Sequence, residues 1–197
     1  MESRHISQAV VLSTIVVAVL LLGHLGIGLA ADFFPLKIGQ TMTYTVTYGS
    51  GGPLPTTQTA KVTGVTAIFP NKIYYNLDFK EGGEYRTLQF RSTATALYRY
   101  KGFGLEYMPW QNAATGTSWT YVDEEGNTVE ATVEAVESVT VPAGTYDGCL
   151  KIHSRVPAIS NSDVYNWIKP GVGLIKEEDY MTQYPPKTMK LKSVSIP

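Results

Sequence analysis

The sequence has a single cysteine, Cys149, so no intrachain disulfide can brace it. Histidine is nearly as scarce: of three, only His153 lies beyond the first 31 residues. One Cys and one His are too few ligands for a structural zinc site. They also lie four apart in Cys149-Leu150-Lys151-Ile152-His153, which reads as a strand. On a strand such residues share a face but sit roughly 13 Å apart, too far for proton transfer. Cys149 is therefore expected as a buried or half-buried structural thiol. Charge of neither sign is in excess. Sixteen Lys and Arg against 17 Asp and Glu give −1, and no basic stripe could track a phosphate backbone. Nucleic acid is not an expected partner, and neither a metal nor a cofactor is called for. Beyond the first 31 residues no stretch carries the pattern of a long helix.

The one long apolar run stands at the N-terminus. Arg4 and His5 precede Ala9 to Leu22; Gly23, His24, Gly26 and Gly28 then loosen the segment before Leu29-Ala30-Ala31-Asp32. This is the layout of a secretory signal peptide, with cleavage after Ala30 or Ala31. As an apolar helix, Ala9 to Ala31 is also long enough to cross a bilayer core of about 30 Å. Residues 1–31 are thus a signal peptide or an uncleaved membrane anchor. Either places residues 32–197 outside the cytoplasm: periplasmic or secreted, or anchored in the inner membrane.

What is abundant after the leader is strand-forming residue. All thirteen tyrosines fall there, among many Thr and Val. In Thr41-Met42-Thr43-Tyr44-Thr45-Val46-Thr47-Tyr48 the large side chains take even positions and threonines odd ones, giving one face for a core and one for water. Gly49-Ser50-Gly51-Gly52-Pro53 ends that strand. A second runs from about Thr57 to Phe69, with Gly64 at a bulge. Ile73, Tyr75, Leu77 and Phe79 share a face of the third, and Glu81-Gly82-Gly83 turns it into a fourth at Glu84–Arg91. Lys101 to Thr117 is less regular. Strands resume at Trp119-Thr120-Tyr121-Val122, turn at Asp123-Glu124-Glu125-Gly126-Asn127, and continue through Val129, Ala131 and Val133. Val141 to Gly148 reads as a strand end and turn, and four segments complete the series: Cys149–Arg155, Val164–Ile168, Leu174–Tyr184 and Thr188–Ile196.

The expected fold is all-β: a curled antiparallel sheet or half-barrel over 32–197. Gly39-Gln40-Thr41-Met42-Thr43-Tyr44 is echoed in type by Gly116-Thr117-Ser118-Trp119-Thr120-Tyr121. A duplicated β-unit with halves 32–100 and 101–197 would explain the echo; so would two good strand starts in a Thr-rich chain. The expected core is Tyr44, Val46, Tyr75, Leu77, Phe79, Trp119, Val133, Leu150, Ile152, Trp167, Leu174 and Leu191.

Three segments carry a resemblance. Phe34-Pro35-Leu36-Lys37-Ile38-Gly39-Gln40-Thr41-Met42-Thr43-Tyr44 resembles the FPLKVGNTWTY opening of the TapB-like family, exported bacterial proteins of unknown function. The stretch Val139 to Ile152 is similar to that family's VTVPAGTFDCLKV, and Trp167 to Lys176 to its WYAPGVGLVK. Met42 stands where Trp is usual, and Gly148 is inserted before Cys149. The resemblance implies a curled sheet like that of lipoprotein carriers, and it brings no catalytic residues.

Sites for chemistry are few. Asp123 to Asn127 lacks the acidic spacing of a calcium loop and reads as a solvated hairpin tip. Glu177 and Asp179 could pair on one strand face for sugar hydrolysis; a charged sheet edge is the plainer reading. The cluster singled out for binding is Tyr98, Tyr100, Phe103, Tyr107 and Trp110, continued by Trp119 and Tyr121. Its rings line a ligand mouth, or cap the sheet as core. A concave face carrying Tyr75 and Tyr85 is the alternative surface. The expected function is a non-catalytic binding module for an apolar small molecule or lipid, or for a segment of a protein partner in the envelope. The alternative is a membrane-anchored accessory or structural subunit of a larger envelope complex.

Overall fold

The computed structural model describes residues 32–68, 71–181 and 185–197; the apolar helix expected over 1–31 lies outside the described residues. The body Asp32–Pro197 is all-β, with twelve strands and no helix among the described residues. They are β1 (Thr41–Tyr48), β2 (Thr56–Ile68), β3 (Lys72–Glu81), β4 (Glu84–Ser92), β5 (Ala96–Gly102), β6 (Leu105–Gln111), β7 (Ser118–Val122), β8 (Thr128–Val141), β9 (Gly144–Arg155), β10 (Val164–Lys169), β11 (Gly173–Asp179) and β12 (Lys187–Ser195).

All pair antiparallel in one sheet of order β6-β5-β4-β3-β2-β1-β12-β11-β10-β9-β8-β7. Two six-stranded meanders therefore join through β1 and β12, where Thr41 opposes Ser195 and Tyr48 opposes Lys187. The sheet curls until β6 and β7 meet, making a barrel that is closed by side chains there. Trp119 Nε1 donates to Met108 O at 3.0 Å. Tyr107 stacks on Tyr121 with centroids 5.2 Å apart, and Lys101 Nζ reaches Val122 O.

Alternation decides which residues fill the barrel. Met42, Tyr44 and Val46 of β1 are buried, as are Ala60 and Val62 of β2, Val129, Ala131 and Val133 of β8, and Ile152 of β9. Of the twelve residues expected in the core, nine are buried; Tyr75, Phe79 and Trp119 are half-buried and pack against it. Ile73, at the start of β3, is exposed, whereas its neighbour Tyr74, absent from the expected core, is buried. The cause lies on the outer face, where Tyr74 packs on Tyr100 (centroids 5.3 Å) and donates to Glu106.

The segment expected to be irregular, Lys101 to Thr117, contains the end of β5, the hairpin tip at Phe103 and Gly104, and all of β6. The turn expected over Val141 to Gly148 is shorter. β9 already starts at Gly144, and Gly148 (φ +67°) sits at a register shift opposite Glu137 and Val139. A positive φ suits glycine, so the extra residue marks a bulge. The bulge expected near Gly64 is present.

The echoed hexapeptides occupy matching positions. Gly39 N donates to Val62 O and Val62 N to Gln40 O; Gly116 N donates to Val133 O and Val133 N to Thr117 O. Both glycines have φ +89°, and each β-bulge that follows begins at the matching valine, Val62 or Val133. The strand order divides after β6, within 112–117.

Candidate functional site

Strand direction gives the barrel two unlike ends. One carries the turns 93–95 and 170–172. There Phe33 N donates to Thr93 O (2.9 Å), Gly171 N donates to Phe33 O (3.0 Å), and Phe34 N donates to Ser92 Oγ. Phe33, Phe34 and Leu36 are buried, so the Phe-Pro-Leu motif is a plug. Behind it Phe34 stacks on Trp110, centroids 5.6 Å apart. The apolar space remaining among Phe34, Met42, Leu77, Phe90, Trp110 and Leu174 is only about 40 Å³.

The other end carries the β1–β2, β5–β6, β7–β8 and β9–β10 connections, and here the interior opens. One cavity, about 520 Å³, lies under β6, β7 and β9–β11; its walls include Arg99, Tyr107, Trp110, Tyr121, Asn166 and Glu177. A second, about 500 Å³, lies under β1–β4 and includes Tyr48, Gln58, Phe79, Tyr85, Arg86 and Lys187.

The first cavity has a polar floor. Asn166 is 4 % exposed and its Oδ1 has no partner. It lies opposite Glu177 on the neighbouring strand, so both side chains take the inner face. Burial, then the Asp179 carboxylate, pushes the Glu177 carboxyl up to about 7, against the pull of Lys187 and Arg86. β11 is an interior strand between β10 and β12. The expectation of a charged sheet edge at Glu177–Asp179 is thereby corrected, because alternation turns Glu177 into the barrel. Burial also raises Tyr107, and takes Tyr121 up to about 12 although Ser154 hydrogen-bonds it. Arg99 pairs with Glu124 of the β7–β8 turn and lies 5.9 Å from the Tyr107 centroid.

The second cavity is bordered by an ion pair. Lys187 Nζ is 3.0 Å from Glu81 Oε2, and Tyr48 donates to Glu81 Oε1 at 2.8 Å. Gln58, buried between this cavity and the plugged interior, leaves its Oε1 unpartnered.

Of the five aromatics expected at a ligand mouth, Tyr107 and Trp110 line the first cavity. Tyr98 lies on the outer face under Arg91, 4.1 Å from its ring centroid. Tyr100 packs there on Tyr74. Phe103 is 101 % exposed at the hairpin tip with φ +53° and lines neither cavity. Pairing separates them, because Tyr98 opposes Arg91 and Tyr100 opposes Glu106, both outward. Tyr85 borders the second cavity, whereas Tyr75 packs against the core. Sequence reasoning missed Arg99, Ser154 and Asn166, and singled out Glu177 only as a partner of Asp179. The available signal was polar residues at inward positions of otherwise apolar strands.

His153 and Cys149 are placed apart from both cavities. Cys149 is buried, with Sγ against Tyr146 O, and burial raises its thiol. His153 lies on the outer face, Nε2 at 2.7 Å from Asp163 and Nδ1 at 3.1 Å from Glu134, with its ring stacked on Tyr165. Among the described residues no group of three His, Cys, Asp or Glu could hold a metal ion.

A plugged antiparallel barrel with open-end cavities is the class of architecture defined by these features. Two solved structures are similar to it in fold. One is a candidate lipoprotein from Parabacteroides distasonis, at TM-score 0.50 and 18 % identity over 84 % of this chain and 99 % of that one. The other is a candidate exported protein with a YmcC-like fold from Bacteroides fragilis, at TM-score 0.51 and 16 % identity over 84 % of this chain and 100 % of that one. Residues 113–191 match a family described as DUF3108-like. That stretch holds the second and third motifs noted above, and the match carries this description rather than the TapB-like name. No curated protein matches.

Proposed function

We propose that the chain is an extracytoplasmic, non-catalytic binding module that takes a small amphiphilic molecule into the open end of its barrel. The observation that carries this reading is the contrast between the ends. Phe33, Phe34 and Leu36 fill one, and at the other two cavities of about 500 Å³ and 520 Å³ reach inward between aromatic walls. Cavities of this size suit small-molecule ligands. The location is supported by the similar folds, one named a candidate lipoprotein and the other a candidate exported protein. The absence of chemistry is supported by His153, whose two nitrogens are engaged outside the barrel. The TapB-like motifs fit the same reading.

Nile red fluorescence tests it. The dye binds the parent, and Val164→Trp, which fills the first cavity, weakens binding at least tenfold while far-UV circular dichroism is retained. Trp110→Ala weakens it by removing a wall. A folded Val164→Trp variant that binds dye like the parent overturns the reading.

A second reading, a protein partner, is favoured by the β6–β7 junction. No backbone ladder joins those strands, and a free strand edge is a place for a partner strand to add.

A further inference from the structure

We propose that the cavity under β6, β7 and β9–β11 binds the protonated amine of a small organic ligand, with Asn166 Oδ1 and the Glu177 carboxylate as its acceptors. This rests on the binding-module reading above and adds the chemistry that the ligand must present.

The geometry sets two acceptors side by side, and one of them, Asn166 Oδ1, has no donor among the described residues. Asn166 and Glu177 are directly opposed on β10 and β11, with both side chains on the cavity wall. A buried polar atom without a partner costs free energy that a bound donor would recover, and Asn166 Oδ1 is such an atom. A hydroxyl would satisfy it and bring no charge to Glu177. An ammonium meets both.

The charges around the cavity favour the same choice. Its two arginines are already matched: Arg99 pairs with Glu124, and Arg155 lies 2.8 Å from Glu130. Asp123, Glu125 and Glu177 then leave the walls with an excess of carboxylate. The faces of Tyr107, Trp110 and Tyr121 suit a ligand's apolar stem, and an aromatic face also attracts a cation. Arg99 Nε is a buried donor without a partner, so the best-fitting ligand carries a hydroxyl or carbonyl besides its amine.

Glu177 is placed to respond. Its surroundings are Asp179 on its own strand, Lys187 on β12, Arg86 on β4, Glu81 on β3 and the Tyr44 hydroxyl on β1. Burial and Asp179 hold part of its population protonated near neutral pH. A cation arriving beside it favours the carboxylate, so binding expels a proton into solvent.

Three probes of one length separate the possibilities: 6-aminohexan-1-ol, hexane-1,6-diol and 6-hydroxyhexanoate, titrated calorimetrically near pH 7. The amino alcohol binds at least tenfold more tightly than the diol, and the carboxylate more weakly than either. Its binding enthalpy differs between phosphate and Tris buffers, reporting the released proton. Glu177→Gln, neutral and of the same shape, brings the amino alcohol down to the diol's affinity and abolishes the buffer difference. Asn166→Leu, where it folds, weakens the amino alcohol and the diol alike. Equal binding of amine and diol, tighter binding of the carboxylate, or an unaffected Glu177→Gln variant overturns the proposal. If Nile red still binds, only the amine assignment falls; if it does not, the binding-module reading falls with it.

Discussion

The ring of Phe34 lies directly on the backbone of Gly173: a Cβ built at that glycine would meet Phe34 Cζ at 3.1 Å and Cε2 at 3.2 Å. Gly173 also has φ +116°, a conformation that L side chains rarely adopt. The glycine that opens β11 thus seats the plug that closes the barrel. Gly173→Ala is expected to destabilise the protein by about 1–3 kcal/mol, from strain plus displacement of a buried ring. Gly171, also at positive φ but with nothing near its Cβ position, shows the smaller loss on the same change. Equal midpoints in urea for the two variants would show that the Phe34 contact contributes nothing.

Trp167 is buried on the outer side of β10 beneath Lys176, whose Nζ lies 4.2 Å from its ring centroid, and its indole donates to Glu137. Trp167→Ala is expected to cost ~3–5 kcal/mol, as large buried truncations do. An unchanged thermal midpoint would contradict that burial.

Glu106 and Glu177 answer pH in opposite directions. Burial works against ionisation of Glu106, but hydrogen bonds from Arg91, Lys72 and Tyr74 outweigh it and hold the carboxyl at about 2. Its folded state prefers the carboxylate, so the stabilisation is complete above the usual value of 4.5 and disappears as pH falls toward about 2. Glu106→Gln should therefore lower the melting temperature near neutral pH, with the deficit shrinking through that acid window. A deficit independent of pH would assign the effect to packing.

Glu177 is raised to about 7, so the folded state holds its proton more tightly than the unfolded chain. Stability then falls as pH rises from about 4.5 to 7 and stays at the lower level above. Glu177→Gln removes that loss. The variant should melt higher than the parent at about pH 8 and equal it below about pH 4.5. A gain confined to acid pH would have the wrong sign.

Trp119 ties β7 to β6 through its indole N–H on Met108 O. Trp119→Phe keeps an aromatic ring and removes the donor, for an expected loss of about 1 kcal/mol. Faster amide exchange confined to β6 and β7 is the signature. Uniform acceleration over all strands would mean that the ring, not the hydrogen bond, mattered.

The all-β class was legible because a strand with one face on a core must alternate, as β1 does from Thr41 to Tyr48. Turns were legible where glycine and asparagine forced them, as at Gly82-Gly83 and Asp123 to Asn127. β5 and β6 were not, because Pro109 and the mixed run Glu106-Tyr107-Met108 break the pattern that β-pairing nonetheless accepts. The site was half legible. Tyr107 and Trp110 announced themselves as aromatics, but which of five rings turned inward depended on pairing with β4 and β6. Asn166 and Glu177 are far apart in sequence, and only the pairing of β10 with β11 shows that the two polar residues share an interior wall.

The two junctions between the six-stranded meanders are mechanically unequal. At β1 and β12 eight residue pairs face each other, with one bulge between Thr43 and Tyr44, so that junction behaves as a spine. At β6 and β7 separation breaks chiefly an indole hydrogen bond, a tyrosine stack and the tethers from Arg99 and Lys101. The β6–β7 side is therefore the weaker seam of the wall, as the fore-edge of a book is beside its binding, and the cavity bordered by Tyr107 and Tyr121 lies along it.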